Sequence, residues 1–249
     1  MRHRRDIIDA GKRGLRSILR QAGFEVHRTT RTTGTVEALA RVVQRFGCSM
    51  ILDVGANEGE FVDELRRHGY AGEVISFEPR REAFARLEKH ASMDARWTPL
   101  QVALGPDRRD VSINISENGV SSSVLPMQGM HVEAAPESTY VRVEQVRQER
   151  LDDIVLPRLS DRDSVAMKLD VQGYEAAVLQ GAPRLLDRIA ALHLELSLAP
   201  VYEGQAEWRE LAGGLQQLGF ELWALEPVFT DPATGRTLQV DIVMYRSCA

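Results

Sequence analysis

The sequence predicts an α/β fold: a mostly parallel sheet with an antiparallel last strand, helices on both faces and an N-terminal helical extension. Three observations predict it. The apolar run Met50-Ile51-Leu52 passes directly into the glycine turn of DVGANEGEF, residues 53–61. A second apolar segment ends in Phe77-Glu78-Pro79. Strand-like and helix-like periodicities then alternate, which means a parallel sheet with right-handed crossovers.

Taken in order, residues 1–31 contain Ile7, Ile8, Leu15, Ile18 and Leu19 at helical spacing, with Lys12, Arg13, Arg16 and Arg20 between them. Val36, Leu39, Ala40, Val43 and Phe46 mark one face of a second helix over 35–46. Strands follow at about 50–54, 73–78, 98–103, 164–169, 190–197 and 220–226, with helices over 58–68, 80–90, 173–187 and 205–218. The alternation breaks at 110–116 and 139–146, where polar and apolar residues alternate as in half-buried strands. Between them, Asn118–Met130 is rich in Gly, Ser and Met and reads either as a mobile acceptor lid or as a disordered surface loop. Residues 238–245 read as a last strand closing a hairpin. The division expected is a helical extension at 1–46 and a main domain at 47–249, with a β/loop insertion at about 106–150.

The 249 residues suit one such domain with additions. No apolar run approaches the roughly 20 residues that span a bilayer, and no signal-peptide core is visible. Cys48 and Cys248 form no metal spacing, so a reduced cytoplasmic setting is expected. Residues 1–31 carry nine Lys/Arg against three Asp/Glu, net +6, leaving −11 for the rest of a chain whose total is −5. An acidic main domain argues against nucleic acid as a partner. The basic amphipathic helix fits a peripheral contact at the inner membrane surface; packing on the domain or in a homodimer is the alternative.

The turn is legible as a cofactor site. Gly55 allows a turn that a Cβ would crowd, and Gly59 allows close approach of a ligand to the helix start. Glu78 stands where a carboxylate accepts hydrogen bonds from ribose hydroxyls. The spacing G-x-x-x-G differs from the G-x-G-x-x-G of dinucleotide folds. Glu58 and Glu60 flank the helix start and suit a cationic ligand better than a diphosphate. S-adenosylmethionine (SAM), a sulfonium, fits. Val102, Ala103 and Leu104 would form a slot for the adenine. The candidate cofactor residues are Asp53, Gly55, Ala56, Asn57, Glu58, Phe61, Glu78, Pro79, Val102, Ala103, Leu104 and Asp170.

Lys168 and Asp170 share one strand face, as do His193 and Glu195 on the next strand. These four are the candidate catalytic residues, with Asp170 and Glu195 as base or as a carboxylate pair for Mg²⁺. Structural alternatives are a salt-bridged Lys168–Asp170 pair and a hydrogen-bonded core His193. Candidate acceptor contacts are Asn118, Ser121, Ser122, His131, Gln172, Tyr174 and Tyr202.

Together DVGANEGEF, FEP, VALG with VSINISENGVSSS, KLDVQGYEAAVLQGA and HLELSLAPVYEG resemble the FkbM family of SAM-dependent methyltransferases over about residues 37–245. The resemblance implies a Rossmann-like methyltransferase sheet and SAM contacts from Gly55, Asn57, Glu78 and Ala103. It places Lys168, Asp170 and Glu175 in the family's motif after the fourth strand. It further implies O-methylation, here of a sugar or lipid-linked sugar hydroxyl. The alternatives are a polyketide or other small natural product, or a non-catalytic SAM-binding protein.

Overall fold

A computed structural model describes residues 34–246. The helix expected within residues 1–31, with its membrane and dimer contacts, lies outside the described residues. Among those, no helix is long and apolar enough to cross a membrane.

The strands are β1 (Met50–Val54), β2 (Glu73–Phe77), β3 (Trp97–Leu100), β4 (Ala103–Leu104), β5 (Arg109–Ser116), β6 (Tyr140–Glu149), β7 (Val165–Leu169), β8 (Ile189–Ser197), β9 (Glu221–Thr230) and β10 (Thr237–Tyr245). The α-helices are α1 (Thr35–Phe46), α2 (Glu60–Arg67), α3 (Arg81–Ala91), α4 (Gly129–Ala134), α5 (Leu151–Val155), α6 (Glu175–Gln180) and α7 (Trp208–Gln217). Seven strands form one sheet in the order β3-β2-β1-β7-β8-β10-β9. It is parallel from β3 to β8, and β10 runs antiparallel to both β8 and β9. The chain leaves β1 towards β2 and β3, then crosses back to β7. That reversal opens a crevice beyond the carboxyl ends of β1 and β7, where ligands of open α/β sheets bind.

The central strands are apolar throughout because both faces are covered. One face packs Leu52, Met167, Leu169 and Leu194 against Leu151, Val155, Val178 and Leu215. The other packs Ile51, Val74, Ala191 and Val243 against Leu39, Val43, Val62 and Leu87. Leu39 is wholly buried and Val43 nearly so; burying each is worth about 1.5–3 kcal/mol. They fix α1 to the sheet, so the compact body begins at Gly34. The sequence-based boundary at residue 47 would have divided this packed layer. α1 stops at Gly47, whose left-handed backbone lets its N–H cap the Val43 carbonyl. α2 has acids in its first turn and arginines in its last, matching the helix dipole.

Two expected elements differ. The third strand ends at Leu100; Ala103–Leu104 leaves the main sheet and pairs with β6, which is antiparallel to β5, in a separate three-stranded sheet. β3 is an edge strand, where Pro99 is tolerated because no ladder bond needs its missing N–H. The helix expected over 173–187 spans only Glu175–Gln180 and is followed by a 3₁₀ turn at Leu185–Arg188. Pro183 cannot continue it.

Candidate active site

The crevice is a cleft of about 480 Å³, within the range of small-molecule sites. Its first half is built on the turn after β1. The Gly55 and Ala56 N–H groups donate to the Phe77 carbonyl, binding the turn to the end of β2. Gly55 adopts positive φ, and a Cβ there would collide with the Asp170 carbonyl. Glycine is therefore required by the close approach of the β1 and β7 ends. Gly59 also has positive φ, but its missing Cβ faces Trp97 and Leu87. The expected close approach of ligand at Gly59 is thus replaced by core packing.

Glu78 is almost fully buried. Its Oε2 accepts the Asn57 N–H at 2.9 Å. Arg80, which sequence reasoning missed, surrounds the same carboxylate. Its backbone N–H and Nε donate to Oε1 at 2.9 Å each, and Nη2 donates to Oε2 at 3.2 Å. Arg80 also donates to Asn57 Oδ1 at 2.8 Å and to the Gly119 carbonyl at 2.6 Å. Its signal was its place directly after the FEP strand end.

Gly55, Ala56, Asn57, Phe61, Glu78, Pro79, Ala103 and Leu104 all face the cleft. Three candidate cofactor residues do not. Val102 packs into the main core because the chain turns there between two sheets. Glu58 points outward and pairs with Arg86 at 2.7 Å, leaving Glu60 to line the cleft. Asp53 lies wholly buried beneath the turn, where its Oδ2 accepts the Ser76 hydroxyl at 2.8 Å.

The second half rises from β7, β8 and β10. Lys168, only 6% exposed, donates to the Gly55 carbonyl at 2.7 Å. It stands 3.5 Å from both Asp53 Oδ1 and Asp170 Oδ2. Burial pulls its ammonium pKa down, but Asp170, Asp53, Asp241 and Glu195 outweigh this and raise it. Lys168 is therefore a permanent cation that ties the two strand ends together. Asp170 lines the cleft, with its side chain about one-third exposed.

Glu195 does not line the cleft. Its Oε2 accepts Gln172 Nε2 at 2.7 Å and Gln239 Nε2 at 2.8 Å. Burial, then Asp170 and Asp241, push its carboxyl well above the usual range. Asp241, another residue sequence reasoning passed over, sits opposite Glu195 on β10 and faces the cleft. Burial and Asp170 raise it to about 7. Its signal was an acid inside the apolar strand LQVDIVMY.

His193 faces the cleft as expected. Its Nε2 lies 3.0 Å from the Thr35 hydroxyl, and its Nδ1 has no hydrogen-bond partner. Burial and Lys168 lower its pKa to about 4, so it is neutral at ordinary pH. Glu175 is buried and accepts the Val171 and Gly173 N–H groups, both at 3.1 Å, bracing the turn after β7.

Of the candidate acceptor contacts, Ser122, Gln172 and Tyr174 line the cleft. The other four are structural in placement. Asn118 and Ser121 bond to one another and to Ser138. His131 is buried against Tyr202 and Phe229. The Tyr202 hydroxyl donates to Gln172 Oε1 at 2.6 Å. These bonds, with bridges Asn114–Ser123 and Met127–Tyr202, pin down the segment expected to be a mobile lid.

A divalent cation fits poorly between Asp170 and Glu195. The Gln172 Nε2 already donates to Asp170 Oδ1 and Glu195 Oε2, at 2.7 Å each. Among the described residues, no group of three His, Cys, Asp or Glu side chains is placed to hold a metal.

Residues 53–222 match the model of the methyltransferase FkbM domain. No curated protein matches the sequence significantly. Among solved structures, magnesium protoporphyrin IX methyltransferase from Synechocystis PCC 6803, with bound SAM, is 13% identical; the alignment covers 86% of this chain and 78% of that one at a TM-score of 0.44. An rRNA methylase from Streptococcus thermophilus is 13% identical, covering 88% and 99% at a TM-score of 0.46. TrmK of M. capricolum, in complex with S-adenosylhomocysteine, is 6% identical, covering 88% and 70% at a TM-score of 0.45.

Proposed function

The chain belongs to the FkbM methyltransferase family, and from that premise we propose that it methylates a hydroxyl of a sugar or lipid-linked sugar, with Asp170 as the base. It is a SAM-dependent methyltransferase. One observation carries the finer reading: a single cleft runs from Glu78, suited to ribose hydroxyls, to Asp170, suited to an acceptor proton.

When bound, the cofactor supplies a methyl carbon made electrophilic by its sulfonium. The turn residues Gly55 to Asn57 and the carboxylate of Glu78 would hold the nucleoside, and Ala103 and Leu104, which line the same cleft, would flank the adenine. Catalysis then rests on alignment, which can supply most of the barrier reduction in a displacement of this kind. Asp170 would take the proton of the acceptor hydroxyl, whose oxygen would receive the methyl group as the cofactor's carbon–sulfur bond breaks and S-adenosylhomocysteine leaves. Lys168 holds Asp170 Oδ2 and Gln172 holds Oδ1. His193, neutral and turned to Thr35, contributes shape rather than proton transfer.

The cleft lining carries Glu60, Glu64, Glu78, Asp170 and Asp241, against Arg67, Arg80 and Lys168. Carboxylates accept hydrogen bonds from a polyhydroxyl acceptor and repel phosphates. This supports a sugar and disfavours nucleic acid.

The test is a radiolabelled methyl-transfer screen over glycans, glycolipid extracts and polyketides, alongside calorimetry with S-adenosylhomocysteine. Label in the glycan or glycolipid arms is expected. Label in the polyketide arm alone replaces the sugar with a natural-product acceptor. Tight cofactor binding with no transfer in any arm would make the chain a binding protein.

A further inference from the structure

We propose that the side-chain amide of Gln172 occupies the place of a divalent cation between Asp170 and Glu195, so that the methyl transfer proceeds without a metal and Gln172 acts as a positioning residue for Asp170. The proposal rests on the reading that this cleft binds the cofactor.

Two neighbouring carboxyl groups can be relieved by a hard cation with oxygen ligands, by a proton on one of them, or by a donor with two hydrogens placed between them. Gln172 supplies the last. A primary amide nitrogen carries two hydrogens, and Nε2 lies 2.7 Å from one oxygen of each acid. One proton serves each carboxylate, and the nitrogen fills the space a bridging ion would need.

The orientation of the amide is set from its other end. The Tyr202 phenol, fully buried, donates to Oε1 at 2.6 Å. Reversing the amide would set its oxygen against two carboxyl oxygens at the same short distances and forfeit both amide N–H bonds. Gln239 adds a second donor to Glu195 at 2.8 Å. The far acid is thus satisfied from two sides by neutral groups.

The backbone is committed to the arrangement as well. Gln172 has φ of 54°; among the described residues, only Asn57 shares a positive φ without being glycine. A left-handed conformation costs an ordinary residue about 1 kcal/mol or more. Here it aims the side chain back between β7 and β8 while the Gln172 carbonyl accepts the Ser123 hydroxyl at 2.7 Å. The same strained residue therefore joins the acid pair to the loop over the cleft.

The experiment titrates Mn²⁺ into the full chain, followed by electron paramagnetic resonance, with and without saturating S-adenosylhomocysteine. Wild type is expected to show no stoichiometric site. Gln172→Glu replaces the donor by a third carboxylate and is expected to bind one Mn²⁺ at least tenfold more tightly than wild type. Adding Asp170→Asn to that variant should remove the gain. Stoichiometric Mn²⁺ in wild type, lost in Asp170→Asn, overturns the proposal, as does a folded Gln172→Glu variant that gains no site. The wild-type titration decides the matter even if the variant fails to fold. Failure of wild type to bind S-adenosylhomocysteine would instead overturn the cofactor reading on which the proposal stands.

Discussion

Replacing Lys168 with Met removes the cation that stands between Asp53 and Asp170. Asp53 has no accessible surface, and its Oδ1 has no hydrogen-bond partner, only the ammonium at 3.5 Å. Deprived of it, Asp53 escapes an uncompensated buried charge by taking a proton. Burial already raises that carboxyl above its ordinary 3.8 in wild type, despite Lys168, so the further loss stays within the roughly 4 kcal/mol that a full proton costs from 3.8 at pH 7, at about 1.4 kcal/mol per pH unit. This agrees with the roughly 3–5 kcal/mol typical of breaking a buried pair. For a chain of this size it lowers the melting temperature by roughly 10 °C. The sign with pH follows. Both chains hold Asp53 protonated at low pH, so their difference opens only as pH rises past the raised wild-type pKa, and it grows from there. Lost bonds to the Gly55 and Val54 carbonyls add a smaller part that does not vary with pH. Urea denaturation of wild type and Lys168→Met at pH 5 and 7.5 reads the difference, with a smaller deficit at pH 5 than at pH 7.5. The double variant with Asp53→Asn should recover most of it. A deficit equal at both pH values, or no recovery in the double variant, would refute the reasoning.

Glu78→Ala and Asp170→Asn should fail differently: the first weakens S-adenosylhomocysteine binding by about 10–100-fold, the worth of hydrogen bonds to a charge, while the second leaves that affinity within about threefold and ends turnover. Calorimetry and a methyl-transfer assay separate them, and matching defects in both variants would contradict the assignment. Arg80→Ala should tighten S-adenosylhomocysteine binding by about tenfold, because Asn57 and Arg80 fill the roughly four acceptor positions of Glu78 that a ribose diol must share. Weaker binding in that variant sinks the idea. Glu175 is raised by burial from 4.5 to about 7, so the folded chain holds an extra proton between those values and loses that stability as pH rises through 7. Glu175→Gln keeps an oxygen for the Val171 and Gly173 N–H groups, and its stability relative to wild type should increase between pH 5 and pH 8 by up to about 3 kcal/mol. A difference flat across that range would show that Glu175 does not titrate there.

Much of the fold was legible because each layer left a local pattern. The apolar run before Asp53 and the helical spacing of Leu39 and Val43 follow from burial on both faces of a parallel sheet. The strand ends therefore placed Gly55, Glu78 and Asp170 around one cleft. Helix and strand ends were less legible where neighbours decide them. The switch of Ala103–Leu104 into a second sheet depends on β6, about forty residues later, and leaves no local signal.

Residue types alone gave the partners but not the pairings. Gly59 reads as ligand-facing until Trp97 appears against it, and Glu58 reads as a cleft acid until Arg86 draws it outward. Glu195 reads as a catalytic acid, yet two glutamines hold it behind Asp170. Asp241 and Gln239 gain their places from contacts across the sheet, and Arg80 from its bonds to Glu78, Asn57 and Gly119.

By itself, the sequence determined the sheet and the crevice at its strand ends, because apolar periodicity and glycine turns act over a few neighbouring residues; the methyl-transfer chemistry came from the family resemblance that its motifs carry. Only the tertiary structure decided which carboxylates face the cleft, which are buried as ion-pair partners and which are spanned by an amide. Those outcomes depend on distances between residues far apart in the chain, and at 3 Å a neighbour's charge or donor reverses what a side chain can do.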